Sequence, residues 1–173
     1  MRVFLWTVVQ TLSSTVALSG CSQSAKGADT TAAAVIERLY QNDSWETGDS
    51  IPVDRRPLFA APAETLRRYL DSAFVRAVLA DRACQVRTQD VCNLDFDPVW
   101  DSQDPTGATV HVVPTPDSSI VQARIGYPGA NETRVVTYRM RRVGKGWRIA
   151  DMGGGDWPSL LEMLDSRQGK TSR

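Results

Sequence analysis

His111 is the only histidine of the 173 residues, and an imidazole is the side chain best placed for proton transfer near neutral pH. A hydrolase would pair it with an activated Ser or Cys, and no such nucleophile signature accompanies it. Between Val110 and Val112 it reads as the solvent-facing residue of a strand. Asp95, Asp97, Asp101 and Asp104 form the densest acidic stretch, and gathered carboxylates suit Ca²⁺, which takes about six to eight oxygens. The stretch lacks the Gly and terminal Glu of an EF-hand loop. Asp beside Pro98 and Pro105 is also ordinary turn chemistry. Two mid-chain cysteines and a distant His111 do not compose a tetrahedral zinc site. No catalytic residue, metal or cofactor is assigned from these groups.

The cysteines carry a clearer message. Met1 and Arg2 precede an apolar run over residues 3–9 (VFLWTVV) that decays through Ser and Thr, the profile of a signal peptide and too short for a spanning helix. Leu18-Ser19-Gly20-Cys21 resembles the bacterial lipobox, in which the Cys receives a diacylglyceride and becomes the first residue after cleavage. Small Ser19 and Gly20 let an extended backbone enter a protease cleft. The resemblance implies a signal peptide over 1–20, lipidation of Cys21, and a small, polar, lipidated tether over 21–29. Ser22, where an inner-membrane retention signal would place Asp, implies the outer membrane, facing the periplasm. More than one acyl chain makes such an anchor stable. In that oxidising compartment the remaining pair, Cys84 and Cys92, is expected to form a disulfide joining a helix end to the next loop.

The elements that would position these groups follow from periodicity. Residues 30–42 place Val35, Ile36, Leu39 and Tyr40 on one helical stripe, with Asp29 as cap. Residues 43–62 mix four Gly and Pro with Trp45 and Phe59 and read as an ordered loop. From residue 63, Leu66, Tyr69, Leu70, Phe74, Val75, Val78 and Leu79 recur at helical steps, with Asp71 and Ser72 available to cap a break, and the helices are expected to end near Cys84. After Pro105 the period falls to two. Strands are expected over 108–113, 119–127, 133–143 and 147–152, with Gly126 as a bulge or bend. Ile125, Val136 and Tyr138 would face a core, and Arg124, Arg139 and Arg141 water. A short helix over 159–164 and a frayed tail over 167–173 close the chain, leaving one domain over 30–166. Helices followed by an antiparallel meander make an α+β fold.

That order resembles the nuclear-transport-factor-2-like cone. The stretches 94–98 (LDFDP) with 101–104 (DSQD), and 146–151 (GWRIAD), resemble the bacterial envelope family catalogued as domain of unknown function 3828, across residues 32–165. The resemblance implies a fold and an envelope lipoprotein, and no activity. Ketosteroid isomerases share the cone, so Asp151 with Tyr138, or His111, are the residues an isomerase or hydrolase would use. Fold does not imply function.

Twenty basic and twenty acidic residues give zero formal net charge, which supplies no footprint for nucleic acid. The leading expectation is a non-enzymatic binding module, anchored to the membrane through lipid, that takes an envelope protein partner or an apolar ligand. An immunity or inhibitor protein falls in this class. Trp147 and Trp157 read as packing residues, and Trp45, Phe59 and Trp100 as the exposed aromatic rim that would anchor a partner. Oligomeric state is not encoded in these patterns.

Overall fold

The computed structural model describes residues 31–42 and 57–166. The expected signal peptide, Cys21, the tether, Trp45 and the tail over 167–173 lie outside them. The described residues build an α+β fold: α1 (Ala32–Asn42), a 3₁₀ turn (Leu58–Ala60), α2 (Ala63–Tyr69), α3 (Ser72–Thr88), β1 (Thr109–Pro114), β2 (Ile120–Gly126), β3 (Thr133–Val143), β4 (Gly146–Gly153) and α4 (Leu160–Ser166). The strands form one antiparallel meander in the order β1-β2-β3-β4.

Each helix exists because an apolar stripe needs covering. Val35, Ile36, Leu39 and Tyr40 of α1 are buried against β1 and β2. Its first turn is capped by Thr31, whose Oγ1 accepts from the Ala34 N–H at 3.1 Å; Asp29, the expected cap, lies outside the described residues. The break between α2 and α3 comes where Leu70 turns extended and Asp71 caps α3, accepting from the Phe74 N–H at 2.9 Å. At this joint Leu70 bridges Ile149, and the Asp71 N–H donates to the Ile149 carbonyl at 2.9 Å. The α2–α3 joint is thereby fastened to edge strand β4.

The sheet face towards the helices carries Val121, Ala123, Ile125, Val136, Tyr138, Ile149 and Met152, none more than 1 % exposed. The opposite rows carry Arg124, Arg139 and Arg141, all exposed, as the alternation implies. Gly126 is not a bulge: it keeps register with Thr109 and Thr133. The irregularity lies between Arg139 and Met140, which pair with Asp151 and Ile149 and leave Ala150 as the extra residue. Composition could not locate it, because Ala150 carries no backbone signal.

α3 runs to Thr88 and ends at Gln89 in the left-handed region, φ 55°, one turn past Cys84. Cys84 and Cys92 are joined by a disulfide with Cα atoms 6.1 Å apart, so it ties the last turn of α3 to the following loop. Asp81, 2 % exposed, holds the same loop through the Asn93 N–H at 2.9 Å and the Asn93 side-chain amide at 2.7 Å. Replacing both cysteines by Ser is expected to cost about 2.5 kcal/mol by loop entropy, read as a lower urea midpoint. An unchanged midpoint would show that Asp81 alone orders the loop.

Candidate functional site

The catalytic set an isomerase would need is not assembled. His111 is exposed on β1, opposite Arg124. Asp151 lies at the far edge on β4, and its carboxylate is engaged by Arg139 at 3.0 Å, the Met152 N–H at 2.8 Å and the Leu161 N–H at 3.0 Å. It ties α4 to the sheet. Tyr138 is fully buried on the other face, its hydroxyl 2.9 Å from that of Tyr40, which donates to the Val99 carbonyl at 2.6 Å. This hydroxyl chain joins β3, α1 and the 97–102 turn inside the core.

The aromatic rim needs correction as well. Trp100 is 8 % exposed and meets Tyr40 edge-on with ring centroids 5.1 Å apart. An indole on an irregular turn reaches the core because that turn folds under α1. Phe59 is half-buried and packs 6.0 Å from Phe74. Arg82 fixes it there by donating to the Phe59 and Ala61 carbonyls, and burial lowers the Arg82 pKa.

The acidic stretch diverges. The Asp101 carboxylate accepts from the Trp157 indole at 2.6 Å, and Asp104 accepts from the Thr106 N–H at 3.0 Å. Asp95 is exposed. Asp97 is 9 % exposed: one oxygen accepts from the Val99 N–H at 2.9 Å, and the other has no partner among the described residues. Burial raises its pKa from 3.8 to about 6, against the backbone hydrogen bonds of Val99 and Trp100, which lower it. Among the described residues no three His, Cys, Asp or Glu side chains gather to hold a metal.

What the fold does bring together is a set of arginines. Where the α2–α3 joint meets the β3–β4 hairpin lies an open groove of about 470 Å³, lined by Arg67, Arg76, Arg141 and Arg148 with Asp71, Ser72, Leu70, Val75, Leu79 and Val143. The four guanidiniums come from α2, α3, β3 and β4. Among the described residues that line it Asp71 is the one carboxylate, 5 % exposed in its side chain, and pairs with Arg141 at 2.8 Å. Because its other oxygen caps α3, it has little left to neutralise the rest. Arg148 is steered into place by donating to the Arg67 carbonyl at 3.0 Å and to its neighbour Trp147's carbonyl at 2.7 Å. Arg67 and Arg76 are exposed, and among the described residues no side-chain hydrogen bond or ion pair engages either. The arrangement is suited to hold an anion, since guanidiniums present planar forks of donors to oxyanions. Alternation along β3 points Arg141 towards water, whereas no spacing in the sequence singles out Arg67, Arg76 or Arg148. The alternation of Arg139 and Arg141 along β3 was the available signal.

Compared with known protein families and with curated proteins, the chain matches none.

Proposed function

We propose that the protein is a lipid-anchored module of the bacterial envelope that binds an anionic ligand in the arginine groove and does not transform it. The single observation behind the reading is the groove: four arginines from four separate elements line it, and the one carboxylate among its described lining residues is already committed to a helix cap and to Arg141. The chain's formal net charge is zero, so attraction of an anion is a local property of this face. Cys21 supplies the anchor, the outer membrane facing the periplasm is the proposed site, and the cone with its envelope-family resemblance is the proposed fold type. An immunity or inhibitor protein, offering the groove to an acidic segment of its partner, is one form of this function. The separation of His111, Asp151 and Tyr138 removes the support that an isomerase or hydrolase reading would need.

Two measurements test it. The Cys21→Ser precursor is expected to stay unprocessed and to incorporate no labelled palmitate; equal labelling of variant and parent sinks the anchor. The full chain in a neutral maltoside detergent is expected to bind inorganic phosphate, and the double substitution Arg67→Gln with Arg76→Gln to weaken that binding by about tenfold, roughly 1.4 kcal/mol. Added salt should weaken the parent's binding as well. Phosphate binding that ignores both substitutions removes the groove from the proposal.

A further inference from the structure

Building on the anion reading of the groove, we propose that its ligand is an amphiphile with a phosphate head and a hydrocarbon tail. Two features point to a phosphate head. Arg141 and Arg148 stand opposite each other in register across β3 and β4, and like charges directly opposite on a sheet repel. Asp71 offers a single free oxygen, given to Arg141, so the facing pair keeps an excess of positive charge that a bound anion would neutralise. Arg67 and Arg76 add donors from two further elements. A carboxylate presents its lone pairs in one plane, whereas a tetrahedral phosphate accepts in several directions at once, which matches guanidiniums arriving from two helices and two strands.

The tail follows from what else lines the groove. Leu79 and Val143 wall it, and Val143 is 49 % exposed, one of the few large apolar side chains so open among the described residues. An inorganic anion would leave that surface in water. A short hydrocarbon chain attached to the head would cover it, gaining the free energy of removing apolar area from solvent.

The test uses the full chain in neutral maltoside detergent with inorganic phosphate, hexyl phosphate and hexyl glucoside. Hexyl phosphate is expected to bind at least about tenfold tighter than phosphate, and hexyl glucoside not measurably. Val143→Ser should erase most of the tail's advantage, read as the ratio of hexyl phosphate to phosphate affinity. Arg67→Gln with Arg76→Gln should weaken both phosphates alike. All these positions are exposed, and each variant's circular dichroism is checked against the parent. Equal affinity for phosphate and hexyl phosphate overturns the amphiphile and leaves the anion reading standing. Equal affinity for hexyl phosphate and hexyl glucoside also overturns it, and absence of binding by either phosphate overturns both readings. Protection of Arg67 and Arg76 from phenylglyoxal, read by mass spectrometry, distinguishes the source. Protection by phosphatidate in phosphatidylcholine vesicles identifies the bilayer, protection by hexyl phosphate alone a soluble ligand, and protection by neither overturns the proposal.

Discussion

Asp97→Asn is expected to raise stability at about pH 7.5 and to bring little gain at about pH 4, the two chains' difference changing by about 2 kcal/mol over that interval and approaching about 3 kcal/mol over the whole titration. The side chain is 9 % exposed, and burial raises its pKa from 3.8 to about 6. A group whose folded pKa lies above its unfolded value favours folding when protonated. Its contribution is therefore fully present below pH 3.8 and is lost as pH rises through about 6. At neutral pH the protein holds a charged carboxylate with one oxygen lacking a partner among the described residues, which costs more than a neutral amide in the same place. Asn retains an oxygen to accept from the Val99 N–H. Urea midpoints of parent and variant across the pH range decide the matter, because every other carboxylate cancels in the difference. A difference independent of pH would refute the assignment.

Gly153→Ala is expected to destabilise the fold by about 3 kcal/mol, while Gly155→Ala, two residues on, stays within about 0.5 kcal/mol of the parent. A Cβ on Gly153 would stand 2.4 Å from the Pro158 carbonyl oxygen and 3.1 Å from that of Trp157. Those are backbone atoms, which cannot swing aside as a side chain would. They are also held: Gly154 donates to the Trp157 carbonyl at 2.9 Å, and Arg139 to that of Pro158 at 3.1 Å. Relief requires lifting the approach to α4 off the sheet, and with it Leu160 and Leu164, both fully buried. A Cβ on Gly155 meets nothing within 4 Å. Equal denaturation midpoints for the two variants would disprove the close approach.

Features under short-range control were legible in the residues alone. The change of period after Pro105 marked the sheet, and the strands lie within a residue or two of where alternation put them. Asp71 and Ser72 marked the joint between α2 and α3, because an Asp ahead of a helical stripe can satisfy N–H groups that no preceding turn reaches. Cys84 and Cys92, eight residues apart, are bonded, as their pairing in a short loop suggested. Trp100 and Asp97 were illegible for the opposite reason. They sit on an aperiodic turn whose burial depends on α1 folding over it, so neither spacing nor composition says which way they face. The groove was the least legible feature of all. Arg67 and Arg148 are 81 residues apart, each an unremarkable charge on the exposed side of its own element. Their meeting is set by packing in three dimensions, because the Leu70 to Ile149 bridge that brings α2 and α3 to β4 is a backbone hydrogen-bonding event, and every residue but proline carries the same backbone groups.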